Sequence, residues 1–165
     1  MNIVLIGFMG SGKTTIGKAL AKRNGLKFID TDKVIENQHN ISIKDIFSNF
    51  GEDHFRQLEK QSIDQLKNIN DCVIAVGGGA VMYHNNFDTL KGIGMTVLLD
   101  APMKKIITNL KGDFRPLVGN TIDENKLCEL LETRYSTYKK ADVIINTESL
   151  NIEQTVDEII KRLGQ

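Results

Sequence analysis

The chain has 165 residues, 41% hydrophobic and 25% charged, values that are ordinary for one globular domain with its own core. Its 21 basic and 21 acidic side chains cancel, which argues against a general nucleic-acid or anionic-membrane surface and confines any basic patch to a local site. Two cysteines, Cys72 and Cys128, make neither a disulfide framework nor a metal cluster, and no leader or membrane-span pattern is present, so we expect buried thiols in a cytoplasmic protein.

The first fifteen residues predict a phosphate-binding loop between a strand and a helix. An apolar, β-branched run at 2–6 leads into Gly-Phe-Met-Gly-Ser-Gly-Lys-Thr-Thr at 7–15, which contains the pattern G-x-x-x-x-G-K-[ST]. Glycines let backbone N–H groups curl around an anion, and the N-terminus of the following helix attracts it. Lys13 can bridge the β- and γ-phosphates, and the Thr14 hydroxyl can bind Mg²⁺. The alternative is an ordinary glycine turn. It is less favoured, because such a turn would not require a strand before it and a helix after it.

A second strand, predicted at 26–29, ends at two carboxylates, Asp30 and Asp32. Open parallel sheets bind their ligands at the carboxyl ends of strands. Because side chains two residues apart share a face of a strand, both carboxylates can reach one site if the strand continues through them. Asp30 would then point toward Mg²⁺, and Asp32 toward an acceptor hydroxyl that it orients and deprotonates. The alternative, that Asp32 only caps the next helix, is less favoured beside a phosphate loop.

Strands and helices alternate along the rest of the chain. Short helical patterns at 33–50 include a capping box at 42–45 and stop at Gly51. Such alternation predicts a parallel sheet with helices on both faces and right-handed crossovers. The remaining predicted strands lie at 71–76, 95–99 and 143–145, and the remaining helices at 14–24, 52–67, 85–90, 102–110, 121–140 and 152–163.

Three consecutive glycines, Gly77, Gly78 and Gly79, follow the third predicted strand. They could form only a tight turn. However, three glycines after a buried strand also permit a close approach of the backbone to a ligand, which is the interpretation that we favour.

Three arginines are candidate ligands for anions, and each has a simpler alternative. Arg56 can form an i, i+4 ion pair with Glu52 on a helix surface, which the residues alone favour. Arg134 has largely apolar neighbours on its helix, so its stem can pack there while its head reaches water, and the two readings stay open. Arg115 lies in a loop at 111–120, where no helix face explains it. It could be only a solvated loop residue, but we favour a cation on a closing loop that stabilises a transferring phosphoryl group.

Together, these motifs resemble those of the shikimate kinases, a branch of the P-loop kinases akin to the nucleoside monophosphate kinases. The match covers nearly the whole chain, and the order of the motifs is its specific feature. The matching segments are residues 7–15, the Asp-x-Asp at 30–32, the run at 42–56, the glycines at 77–79 with Ala80, Arg-Pro-Leu at 115–117, and Arg134 with Tyr135 and Tyr138. The resemblance implies a three-layer α/β/α P-loop kinase with a five-stranded parallel sheet in the order 2-3-1-4-5.

The resemblance also implies the organisation of the chain and its reaction. A single domain at 1–165 would have its core at 1–32, 70–108 and 121–165, a shikimate-binding subdomain at about 33–62 and a lid at about 109–120. The reaction would be the ATP- and Mg²⁺-dependent phosphorylation of the 3-hydroxyl of shikimate, in chorismate and aromatic amino acid biosynthesis. The enzyme would be a monomer with no nucleic-acid or membrane partner.

Two other functions compete with this one. Another small-molecule kinase of the same fold, such as a gluconate kinase, would also need arginines for a carboxylate and an aspartate for a hydroxyl. The other is a nucleotide-dependent switch that binds ATP or GTP but phosphorylates nothing. A guanine-specific Asn-Lys-x-Asp segment would support it, but residues 125–128 read Asn-Lys-Leu-Cys.

The acceptor side receives its roles from the resemblance. Asp32 would bind the ring hydroxyls of shikimate and act as the base. Arg56 and Arg134 would hold the carboxylate, a task suited to the planar, bidentate guanidinium group. The three glycines at 77–79, Gly78 above all, would hold the substrate through backbone contacts.

The donor side receives its roles in the same way. Lys13 would stabilise the transferring phosphoryl group, Arg115 would close over the phosphates with the lid, and Thr14 with Asp30 would organise Mg²⁺. The family often stacks basic residues on adenine, but residues 108–111 here read Thr-Asn-Leu-Lys, and we assign no adenine contact. The implied ATP-binding residues are Gly10, Ser11, Gly12, Lys13, Thr14, Thr15 and Arg115.

Overall fold

A five-stranded parallel sheet lies at the centre of the computed structural model, which describes residues 1–111 and 121–164. The strands pair in the order β2-β3-β1-β4-β5, and every pairing is parallel. This order confirms the one that the family resemblance implies. The strands are β1 (Ile3–Ile6), β2 (Lys27–Asp30), β3 (Cys72–Ala75), β4 (Met95–Asp100) and β5 (Val143–Asn146).

Seven α-helices connect and follow these strands within the described residues. None of those helices is long and apolar enough to cross a lipid bilayer. The helices are α1 (Lys13–Asn24), α2 (Thr31–His39), α3 (Ile43–Gln65), α4 (Asn86–Ile93), α5 (Met103–Leu110), α6 (Glu124–Tyr138) and α7 (Ile152–Leu163), with 3₁₀ turns at Leu66–Asn68 and Ala80–Met82.

The sheet is covered on both faces, which makes the fold a three-layer α/β/α sandwich, as expected. Leu5 packs in a cluster with α1 and α7, whereas the next residue, Ile6, packs with side chains from α3 to α6. Strands buried on both faces carry continuous apolar runs, and that is why the sequence showed no alternation there. Cys72 is buried in this core, but Cys128 on α6 is only partly buried, so the expectation of two buried thiols holds for Cys72 alone.

The sheet order brings three polar segments to one edge. β3 lies between β1 and β2, so the segments that follow these three strands are neighbours at their carboxyl ends. Those segments are the phosphate loop, Asp30 with Asp32, and the three glycines at 77–79. The register pairs Asp30 with Ala75, so the first carboxylate lies beside the strand residue that is two positions before Gly77.

The junction between β2 and α2 differs from the prediction. The strand does not continue through both carboxylates, because β2 ends at Asp30 and α2 begins at Thr31. The Asp30 side chain accepts hydrogen bonds from the backbone N–H groups of Asp32 (3.1 Å) and Lys33 (3.4 Å). Asp30 is therefore the helix cap, and Asp32 reaches the same edge from the first turn of α2.

Helix boundaries elsewhere follow local capping. Ser42 caps α3 as expected, and its Oγ accepts from the N–H of Asp45 at 3.1 Å. Gly51 interrupts α3 with φ 82° and ψ 175°, so the predicted stop is a break between two helical segments. The helix predicted at 121–140 begins later than expected, because Asp123 is its cap and α6 begins at Glu124.

A small separate core joins α2 to α3, inside the segment expected to bind the acceptor. Whether residues 33–62 act as a substrate-binding subdomain stays a prediction. The buried side chains of this core are Ile35, Ile46, Phe55 and Leu58.

Candidate active site

The phosphate loop forms as the sequence predicts. Gly7, Gly10 and Gly12 have φ angles of 143°, 74° and 93°, a region that other residues rarely adopt. At Gly7 a β-carbon would also lie 2.7 Å from the backbone oxygen of Leu99. The backbone N–H of Ser11 closes the curl by donating to the oxygen of Phe8 at 3.2 Å. The loop therefore depends on glycine for both its conformation and its contact with β4.

Lys13 crosses the mouth of this loop. Its Nζ donates to the backbone oxygens of Gly7 (2.8 Å) and Phe8 (2.9 Å), which holds the ammonium group over the curl. The hydroxyl of Ser11 is buried and has no hydrogen-bond partner among residues 1–111 and 121–164. An ammonium group and an unsatisfied buried hydroxyl beside the N-terminus of α1 suit a phosphate.

Thr14 and Asp30 form the candidate magnesium pair. The Thr14 hydroxyl donates to Asp30 Oδ2 at 2.8 Å, so a residue of α1 and the cap of α2 meet directly. Hydroxyl and carboxylate oxygens are hard donors of the kind that Mg²⁺ prefers. The donor set therefore fits the ion that the sequence analysis placed there.

A cavity of about 530 Å³ runs from the phosphate loop to α5 and the start of α7. Lys105 at its far end donates to the backbone oxygens of Thr147 (2.7 Å) and Leu150 (3.0 Å). Asn109 Nδ2 donates to the oxygen of Gly10 at 2.8 Å. Local sequence patterns do not predict these contacts, because they join segments about 40 to 100 residues apart.

A second cavity of about 530 Å³ adjoins the first and is lined by α2, α3, α6 and the glycines. Asp32 lies in the wall that the two cavities share. At Gly77 a β-carbon would lie 2.7 Å from Glu59 Oε1 and 3.3 Å from Asp32 Oδ1, so the absence of a side chain there lets two carboxylates approach the backbone. The shared lining residues are Met9, Thr14, Asp30, Asp32, Gly77 and Gly78.

Arg56 lines only the second cavity, and it is 4% exposed. Its Nη2 lies 3.1 Å from Glu52 Oε1, so the expected i, i+4 pair exists. Its Nη1 also lies 2.8 Å from Glu59 Oε2. The alternative of a surface ion pair is therefore wrong, since the guanidinium group is buried and faces a cavity.

Glu59 is a site residue that the sequence analysis missed. It is 0% exposed, and burial raises the pKa of its carboxyl group to about 7 against the opposing effect of Arg56. A signal was available, because position 59 adjoins Leu58 on the apolar face of the predicted helix. A carboxylate there is costly without a partner, which indicates a buried pair.

Arg134 lies on α6 and is 3% exposed, so the alternative in which its head reaches water is wrong. Its Cζ lies 5.8 Å from the ring centre of Phe8. Within the described residues no carboxylate lies within 4 Å of it, and its Nη1 has no hydrogen-bond partner. One turn later, Tyr138 donates to the oxygen of Gly78 at 2.5 Å, which ties α6 to the glycines. A buried cation of this kind calls for an anion, and the cavity has room for one.

Gly78 and Gly79 lie where other groups pack closely against the backbone. A β-carbon at Gly79 would lie 2.6 Å from Arg56 Nη2, and one at Gly78 would lie 3.0 Å from the backbone nitrogen of Met9. Neither glycine has a positive φ. The triple glycine therefore lets an arginine and the phosphate loop approach one backbone segment.

The structure thus brings most of the expected site residues around two adjoining cavities. Arg115, with residues 112–120 of the expected lid, lies outside the described residues. The expected roles of Arg115 and of the lid stay predictions.

Comparison with known proteins gives a consistent result. The family model described as shikimate kinase matches residues 9–164. A shikimate kinase of Sulfurihydrogenibium sp. is 40% identical over 163 residues, which cover 98% of this chain and 97% of the relative. One of Thermodesulfovibrio yellowstonii is 44% identical, covering 97% and 93%.

Solved structures agree with these relatives. The shikimate kinase from Acinetobacter baumannii in complex with shikimate superposes with a TM-score of 0.93 at 34% identity, covering 98% of this chain and 92% of that one. A gluconokinase from Sinorhizobium meliloti has a TM-score of 0.63 at 18% identity, covering 99% and 91%, and shares the fold alone.

Proposed function

This chain belongs to the shikimate kinase family, and we propose that it transfers the terminal phosphoryl group of ATP to the 3-hydroxyl of shikimate while the two substrates occupy the adjoining cavities. The observation that carries the proposal is the meeting of the cavities at Asp32. One cavity ends at a phosphate loop, and the other contains two buried arginines.

ATP lies in the first cavity, with its phosphates on the loop. The loop N–H groups and the N-terminus of α1 bind the phosphate oxygens, and Lys13 reaches the β- and γ-phosphates from its position over the curl. Thr14 and Asp30 would hold Mg²⁺, which would neutralise part of the phosphate charge when bound. The nucleoside then extends toward Lys105 and Asn109.

Shikimate lies in the second cavity, with its carboxylate away from the loop. Arg56 and Arg134 face only this cavity, so they hold the carboxylate there. Glu59 pairs with Arg56 and keeps its guanidinium group in one orientation. Arg134 has no carboxylate partner in the described residues, and the substrate anion neutralises it.

Asp32 performs the proton transfer at the shared wall. Its carboxylate accepts a hydrogen bond from the 3-hydroxyl of shikimate and orients that oxygen toward the γ-phosphorus. As the new O–P bond forms and the bond from the γ-phosphorus to the ADP oxygen breaks, Asp32 takes the hydroxyl proton. Lys13 stabilises the charge on the transferring group.

A coupled ADP-release assay with shikimate, gluconate and AMP tests the acceptor. We expect turnover with shikimate, and at most a small fraction of that rate with gluconate, whose open chain does not match a cavity that fixes a carboxylate and a hydroxyl at set positions. Turnover with gluconate and none with shikimate would favour the competing kinase and overturn the proposal.

A further inference from the structure

Tyr83 contacts the Arg56 ion pair from outside the site. The Cζ atom of Arg56 lies 4.4 Å from the centre of the Tyr83 ring, a distance typical of a cation–π contact. The Tyr83 hydroxyl donates to Glu52 Oε1 at 3.2 Å, the same oxygen that accepts from Arg56. Tyr83 therefore holds both members of one ion pair, although it does not line the substrate cavity.

The ring also separates the guanidinium group from solvent. Tyr83 is 37% exposed, whereas Arg56 beneath it is 4% exposed. Gly79 covers another side of the guanidinium group, since a β-carbon there would lie 2.6 Å from Nη2. A dry guanidinium group binds a carboxylate more strongly than a hydrated one.

The backbone next to Tyr83 adopts a costly conformation that fixes this position. His84 and Asn85 have φ angles of 52° and 58°, two successive left-handed residues that are not glycine. The N–H of Asn86 donates to the oxygen of Tyr83 at 2.9 Å, and Asn86 Nδ2 donates to the oxygen of Ala80 at 2.9 Å. This closed turn joins the glycine segment to α4 and presents the tyrosine ring to α3.

We propose that Tyr83 is a positioning residue for Arg56, and that its ring keeps the guanidinium group dry and oriented for the acceptor's carboxylate. The inference rests on the proposed role of Arg56 in binding shikimate. Tyr83 acts through Arg56 and does not touch the substrate, so it contributes equally to the ground state and the transition state. Such a contribution changes KM and leaves kcat unaltered.

Kinetics of Tyr83→Leu, Tyr83→Ser and Tyr83→Phe test the proposal. We expect Leu and Ser to raise the KM for shikimate about 3- to 10-fold, with kcat and the KM for ATP within about twofold of the original chain. Phe keeps the ring and loses only the bond to Glu52, so its KM should stay within about twofold. Calorimetry with the methyl ester of shikimate, which lacks the charge, should give equal affinities for the original chain and Tyr83→Leu.

Met95 provides the matched control, because it is 39% exposed and begins β4 at the opposite end of the sheet. Met95→Ala should leave both KM values unchanged. Unaltered shikimate KM in the Leu and Ser variants would overturn the inference, as would equal losses for shikimate, its ester and ATP. A Phe variant whose KM for shikimate rose about 3-fold or more would also overturn it, and this outcome can be measured even if the Leu and Ser variants fail to fold. If the original chain did not phosphorylate shikimate at all, the proposed function itself would fail.

Discussion

Asp32 lies in the wall that the two cavities share, and the proposal makes it the base for the acceptor hydroxyl, whereas Asp30 pairs with Thr14 and caps α2. Asparagine at position 32 keeps the size and a hydrogen-bonding oxygen but cannot take a proton. We expect Asp32→Asn to lower kcat at least about 100-fold while the dissociation constant for ATP changes little. Single-turnover kinetics and calorimetry would measure the two quantities. Undiminished turnover would show that the base has been assigned wrongly.

Glu59 should give the fold a measurable pH dependence. Burial raises the pKa of its carboxyl group in the folded state from an ordinary value of 4.5 to about 7. Between these two values the folded state binds the proton and the unfolded state does not, so the free energy of unfolding falls as pH rises. The fall amounts to at most about 3 kcal/mol.

Glu59→Gln should flatten that dependence, because the amide does not titrate. Urea unfolding at pH 5, 6 and 7 would measure the slope in both chains. The exposed Glu148 offers a control, and Glu148→Gln should keep the original slope. If Glu59→Gln retained that slope as well, another group would carry the proton.

A site residue was predictable from sequence when the residues that define its role are near it in the chain. Lys13 and Thr14 belong to a contiguous pattern whose chemistry is local, so they were predictable. Arg56 and Arg134 were predicted to be ligands only through the family resemblance, since each had a sufficient helical explanation of its own. Tyr83 gave no signal, because its contact with Arg56 crosses 27 positions of the sequence.

At the scale of elements, continuous apolar runs predicted the strands and apolar periodicity predicted the helices. Capping residues determined where the helices begin. The α7 helix lies at Ile152–Leu163 as predicted, and β4 extends one residue beyond its predicted end, to Asp100. The prediction for the junction at Asp30 was wrong, because an aspartate can be the last residue of a strand and the cap of the next helix at once. Pattern alone does not reveal that Thr31 is already helical.

The same junction shows how an element boundary positions a function. Because α2 begins at Thr31, the side chain of Asp32 projects from the first turn of a helix whose N-terminus favours negative charge. Asp30 fixes that turn through its two backbone hydrogen bonds and reaches Thr14 with its other oxygen. Asp30 thus connects the proposed metal pair to Asp32, the proposed base.

At the scale of the whole molecule, the sheet order decides which segments share a site. β1, β3 and β2 are adjacent, so the loop, the glycines and the two aspartates meet at one edge although they span about 70 residues of sequence. The sequence predicted a parallel sheet, whereas the order came from the resemblance. Physical reasoning from local pattern does not determine which strands are neighbours.

Two cavities that share a wall predict a sequential kinetic mechanism, in which both substrates are bound before the transfer. The cavities have six lining residues in common, so ATP and shikimate can be bound together with the acceptor hydroxyl beside the γ-phosphate. Direct transfer then needs both substrates at once, and initial rates at varied ATP and shikimate should give intersecting double-reciprocal lines. Parallel lines, together with a phosphorylated protein isolated after ATP alone, would instead show a covalent intermediate. Because the proposed reaction uses Asp32 only as a base, we expect no phosphorylated protein. The reaction should require a complex that contains the protein, ATP and shikimate together.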